Sequence, residues 1–149
     1  MLIAIIHLVA TAFMAGLIWF VQVVHYPLFA LVPAEASPGY AAEHQRRTAL
    51  VVGAPMAVEG VSVLWLFAAP PDGLGRGLPT LGGLVLAVVL ASTVLAQVPR
   101  HGRLAGETDA DRIVDVVAGL VRSNWVRTIG WSARAVLAAA MVVIVSGAS

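Results

Sequence analysis

Residues 2–32 read LIAIIHLVATAFMAGLIWFVQVVHYPLFALV, and the first Asp, Glu, Lys or Arg of the chain is Glu35. About 20 consecutive apolar residues cross the roughly 30 Å hydrocarbon core of a bilayer. The stretch therefore reads as a membrane span, broken near its end by Pro27. It lacks a basic leading region and its apolar part is too long for a removable leader, so it is read as retained. Working outward, a second span runs over about 40–69, with Glu59 and Pro55 inside it, and ends at the turn Pro70-Pro71-Asp72-Gly73. A third covers 78–98 and meets Pro99; a fourth runs over 110–145, with Asp109 placed to cap it. Lipid offers the backbone no hydrogen bonds, so each segment must satisfy its own as a helix. The expected fold is a single all-α domain over 1–149, an integral membrane four-helix bundle of up-down-up-down topology.

Composition agrees. The chain is 60% hydrophobic and 11% charged, with a mean hydropathy of +0.92. Soluble domains run near 45–50% apolar and about 25% charged, which excludes soluble enzymes and disordered regulators. The absence of cysteine removes disulfides, thiolate metal sites and Cys nucleophiles. All nine basic residues are Arg, a usage typical of GC-rich bacterial genomes, and the expected location is a bacterial cytoplasmic (inner) membrane. A net charge of +1 without a basic tail leaves the lipid bilayer, and no nucleic acid, as the expected partner. Arg46, Arg47, Arg100, Arg103, Arg112 and Arg122 flank two connections, against Arg76 alone at the other. The positive-inside rule then puts both termini outside and the Arg-rich end, called the A side, in the cytoplasm.

Ionisable groups cost about 2.5–3.5 kcal/mol at the centre of a span, so their helical phase is informative. His7, Thr11, Met14, Ile18, Gln22 and His25 form one stripe; Tyr40, His44, Arg47 and Val51 form a second, with Glu59 deeper; Thr93, Gln97 and His101 form a third. On the last helix Ile113, Val117, Leu120, Asn124, Arg127, Trp131 and Arg134 make a fourth stripe, and all four are expected to face inward. With a 1.5 Å rise per residue, His25, His44, His101 and Asn124 fall at one level near the A side. His7, Glu59 and Arg134 fall at a deeper one.

The upper level admits three readings. His25, His44 and His101 suit a transition metal such as Zn, Fe or Cu, with Gln22 or Gln97 holding second ring nitrogens. Alternatively, two of them are axial ligands of a b-type haem, with Arg47 or Arg127 on its propionates. Or they are interfacial histidines bonded to loops and head groups. Asn124 and Arg127 are the candidate catalytic residues, orienting substrate or an oxygen species, and Trp131 could stack on an Arg or an aromatic substrate. Glu59 and Arg134 read as a structural ion pair, or with His7 as a proton or anion path. Trp65 and Trp125 suit interfacial belts. No nucleophile elbow, phosphate loop or dinucleotide fingerprint is present.

Thr11-Ala12-Phe13-Met14-Ala15-Gly16, His25-Tyr26-Pro27 and Asn124-Trp125-Val126-Arg127-Thr128 with Trp131 resemble the small four-span anthrone-oxygenase-like membrane family. The resemblance implies a membrane protein whose relatives oxidise polycyclic anthrones with oxygen and no established cofactor. The functional expectation is a metal-binding membrane oxidoreductase or oxygenase acting on a small hydrophobic substrate. The alternatives are a carrier of ions, protons or small molecules along the His25–Gln22–His7 stripe, which would need a homo-oligomer, a haem protein, or a structural subunit of a membrane complex.

Overall fold

The computed structural model describes residues 1–148, and every regular element among them is helical. Four helices are long and apolar enough to cross a membrane: α1 (Leu2–Leu31), α2 (Ser37–Ala68), α3 (Gly77–Leu104) and α4 (Ala110–Gly147). They are joined by short connections and form an all-α bundle in which α1 packs on α4 and α2, and α3 closes the ring against the same two. Their outer faces carry exposed apolar side chains from end to end, among them Val9, Leu64, Val88 and Ile129. Such a surface is tolerated in lipid and not in water, so the chain is a multi-pass membrane protein.

Local chemistry sets the ends. Pro38 stands in the first turn of α2, where its missing N–H costs nothing. The Asp109 carboxylate accepts from the backbone N–H groups of Asp111 (3.0 Å) and Arg112 (3.1 Å), capping α4. Gly73 turns the α2–α3 connection at φ +79°, and a Cβ there would stand 2.8 Å from that of Ala148. The α2–α3 turn thus lies beside the end of α4. Gly130 lets α4 approach α3; any side chain there would collide with Val89.

Both sequence-expected proline boundaries are corrected. Pro27 does not break α1 and Pro99 does not end α3; each helix runs on, α3 as far as Leu104. Each passes through a π-helical turn, Val21–His25 in α1 and Thr93–Gln97 in α3, two residues before its proline. There the N–H of Tyr26 bonds back to Val21 O, and that of Val98 to Thr93 O. Proline removes the N–H that would reach the carbonyl four residues back and crowds that carbonyl. Widening the preceding turn is the known way to absorb this. The extra residue advances the helical phase, so beyond the turn α1 buries Tyr26 and Phe29 while His25 stays half-buried.

All four helices meet at one buried point. Glu59 on α2 is 0% exposed and Arg134 on α4 is 1% exposed. Arg134 Nε donates to Glu59 Oε1 at 2.7 Å, and its Nη2 lies 2.7 Å from the same oxygen. Arg134 Nη1 also donates to the carbonyl of Gly82 on α3, and Thr11 Oγ1 on α1 donates to Glu59 Oε1 at 2.8 Å. His7 Nδ1 lies 2.8 Å from Ser62 Oγ, whose own hydrogen goes to Glu59 O, so the imidazole donates from Nδ1. The Arg134 guanidinium lies 5.7 Å from the Trp131 ring centroid, a cation–π contact.

Removing one partner of a buried pair strands the other charge at a cost of about 3–5 kcal/mol. Glu59→Met or Arg134→Met alone should therefore lower the unfolding midpoint in mixed micelles sharply. The Glu59→Met/Arg134→Met double variant should recover most of the loss; additive losses would rule this out.

Candidate functional site

At the A side the structure brings the rings of His25, His44 and His101 side by side. His25 Nε2 and His44 Nδ1 are 2.7 Å apart, so one ring donates its proton to the other. Their ring centroids are 4.5 Å apart, and those of His44 and His101 are 5.1 Å apart. Phe29, one turn beyond His25, sets its edge against both His25 and His44. Thr48 Oγ1 lies 3.2 Å from His44 Nδ1.

A second network begins at Tyr26, which the sequence marks only within the His25-Tyr26-Pro27 motif and not as a site residue. Arg127 Nη1 donates to the Tyr26 hydroxyl at 3.5 Å and to Asn124 Oδ1 at 3.1 Å. The Tyr26 hydroxyl hydrogen is then free for His101 Nε2, 2.9 Å away. Asn124 Nδ2 donates to Gln22 Oε1 at 2.9 Å, Thr128 Oγ1 reaches the same oxygen at 3.3 Å, and Gln22 Nε2 donates to Val121 O. Gln97 Nε2 donates to Ser123 Oγ at 2.9 Å. The amides of Gln22 and Gln97 thus bond to α4, which corrects the expectation that they hold ring nitrogens. Tyr26 and Thr128 were detectable by spacing, one turn past Gln22 and Asn124 respectively. Gln97 Oε1, His101 Nδ1 and Arg127 Nε are buried with no hydrogen-bond partner.

The second-helix stripe also needs correction. Tyr40 and Val51 are 42% and 49% exposed, and Arg47 is exposed as well. On this half of α2 the inward face is built from Ser37 and Ala41, both buried and small, and neither is ionisable or a long polar side chain of the kind the stripes were drawn from. Tyr40, His44, Arg47 and Val51 instead line one wall of a cavity of about 490 Å³ between α1 and α2. Leu17, Phe20 and Val21 form the facing wall, with His25 beside His44. The cavity is apolar for most of its surface and polar at the imidazole pair and at Glu43, Arg47 and Thr48.

The deeper set is separate. Between Gln22 and Thr128 above and Thr11 and Arg134 below, Met14, Ile18, Leu86, Val89 and Trp131 close an apolar layer. Trp131 belongs to that layer and to Arg134, with its indole nitrogen unpartnered, and does not face the histidines. His7 is therefore not joined to His25 by hydrogen bonds among the described residues.

Among the described residues no group of three or more His, Cys, Asp or Glu side chains is arranged to hold a metal ion. His25 and His44 engage each other through one nitrogen apiece, and His101 Nε2 engages Tyr26. The direct contact between His25 and His44 also leaves no gap for a porphyrin between them. What the arrangement offers is acid–base chemistry, a coupled pair of imidazoles at the wall of an apolar cavity. No family model matches the chain, and no curated protein or solved structure matches it.

Asn124→Leu should leave Gln22 Oε1 and Arg127 with fewer partners and cost about 1–3 kcal/mol per stranded group. Equilibrium unfolding in mixed micelles checks this, and an unchanged midpoint would show that the network adds nothing to stability.

Proposed function

We propose that this membrane protein takes a small hydrophobic molecule from the bilayer into the α1–α2 cavity and removes a proton from it at the His25–His44 pair. The observation that carries the reading is the cavity itself, about 490 Å³ with two hydrogen-bonded imidazoles set in an otherwise apolar wall. Sites for small molecules have this form, apolar walls with a few converging polar groups, and volumes near 300–1,000 Å³. An apolar cavity of roughly 150 Å³ takes benzene, so the volume suits a molecule of about three such rings.

A coupled pair suits general base work because the proton that one ring accepts can be passed to the other. Such chemistry fits an oxidoreductase of the oxygenase kind, in agreement with the anthrone-oxygenase-like motifs. The ring CH2 of an anthrone would lose a proton to the imidazole, and the carbanion would reduce O2. In sum the CH2 becomes C=O and one O2 is consumed, with its second oxygen leaving as water. Asn124 and Arg127 then act from behind, holding Tyr26 and through it His101, and do not touch the cavity wall.

Equilibrium dialysis of 1-naphthol against protein in phosphatidylcholine nanodiscs tests the site. Binding is expected in wild type and should weaken by about tenfold or more in His25→Phe and His44→Phe. Equal affinity in all three would overturn it. Elemental analysis of the same samples tests the metal reading. Stoichiometric Zn, Fe or Cu, lost together in His25→Ala, His44→Ala and His101→Ala, would replace the metal-free base with a metal centre.

The same reading places the chain in a bacterial cytoplasmic membrane with the cavity towards the cytoplasm, on the arginine distribution. Because the chain has no cysteine, single-cysteine labelling is unambiguous. Asp72→Cys should react with an impermeant maleimide in whole cells, and Gly106→Cys only after lysis. The reverse pattern would invert the topology.

A further inference from the structure

The α1–α2 cavity does not end at Leu17 and Val51. A second cavity of about 450 Å³ lies on the same seam, lined from α1 by Ile5, Val9 and Phe13 and from α2 by Ala54, Pro55 and Val58. On α1 the lining positions 5, 9, 13, 17 and 21 step by four; on α2 the positions 58, 54, 51, 47, 44 and 40 step by four and three. The α2 series keeps to one face of its helix, whereas the i, i+4 row on α1 winds gradually about its axis, and the two cavities are consecutive hollows of one seam, here called the groove. From His44 to Val58 the groove follows α2 for about 21 Å at 1.5 Å per residue, more than half of the roughly 30 Å hydrocarbon core. Its deep half is entirely apolar, and its A-side half ends in polar groups.

Charge at that end is unbalanced. Glu43 receives a forked pair of hydrogen bonds from Arg46, Nε to Oε2 at 2.9 Å and Nη2 to Oε1 at 2.7 Å. Its Oε1 is also shared with Arg47 Nε. One carboxylate therefore faces two guanidinium groups. Arg46 alone satisfies it in the bidentate geometry that carboxylates favour. Arg47, which lines the cavity, is the surplus cation.

We propose that this groove also binds, as a ligand, a single-tailed acidic amphiphile, its anionic head taken by Arg47 beside His25 and His44 and its hydrocarbon tail laid along the α1–α2 seam. The inference rests on the cavity being the binding site, as proposed above. A single groove with a single spare charge fits one chain and one acidic head. On binding, Arg47 leaves Glu43 to Arg46 and turns to the ligand, so no charge is left unpaired.

The test uses radiolabelled palmitate and hexadecanol in phosphatidylcholine nanodiscs, read by scintillation proximity at a pH where the acid is ionised. Wild type should bind palmitate about tenfold more tightly than hexadecanol. Arg47→Gln should bring the two to parity, and Arg46→Gln should preserve the preference. Ala54→Trp, which fills the deep half of the groove, should weaken palmitate and spare both octanoate and 1-naphthol. Equal binding of acid and alcohol by wild type, or a preference that survives Arg47→Gln, would overturn the proposal. Loss of palmitate binding on adding phosphatidylglycerol to the discs would assign the groove to a bilayer lipid and overturn it too. If 1-naphthol binds and palmitate does not, only this proposal fails; if neither binds, the cavity reading fails with it.

Discussion

One buried ion pair sets the geometry of this bundle. Thr11, Glu59, the Gly82 carbonyl and Arg134 come one from each helix and meet at the same carboxylate and guanidinium. Apolar helices in lipid have little to fix their relative height, because lipid tails are as apolar as the side chains they replace. A charge pair is different: a helix shifted by one turn would leave Glu59 or Arg134 without its partner, at a cost of several kcal/mol. Fixing the height at this level fixes it at the A side as well, and the contact of His25 with His44 depends on that registration.

The apolar layer of Met14, Ile18, Leu86, Val89 and Trp131 divides the interior into two polar compartments. The deep one holds the Glu59–Arg134 pair, whose bonds run to all four helices, an arrangement suited to holding. The A-side one holds imidazoles, a phenol and carboxamides, groups that exchange protons or hydrogen bonds at modest cost. Proton transfer of the kind proposed at His25 and His44 would leave undisturbed the pair that keeps the helices together.

Much of the fold was legible because lipid makes composition decisive: the long uncharged stretches ending at Glu35 and Pro99 could be little else. Phase arithmetic worked on α4, where the regular stripe from Ile113 to Arg134 is buried except for the half-buried Arg127. It worked less well where regularity lapsed. The π turns displaced His25, which lies about five full turns from His7, to the margin and gave the inward place to its neighbour Tyr26. On α2 the inner face near the A side is made of the small residues Ser37 and Ala41, and the larger polar residues Tyr40, His44 and Arg47 line a cavity beside it. Partner choice was also beyond spacing, since the Gln22 and Gln97 amides find acceptors on α4 as well as on the imidazoles.

The π turns carry an evolutionary corollary. A π turn is an α-helix with one residue too many, confined to a single turn. Deleting one residue within Val21–His25 or Thr93–Gln97 would restore an ordinary turn while leaving the segments on either side in their present orientation. Length change is normally forbidden inside a packed helix, because it rotates everything beyond it. These two places are exceptions. Here a lineage can gain or lose a residue, and so re-aim a side chain at the A side, without first dismantling the bundle beneath it.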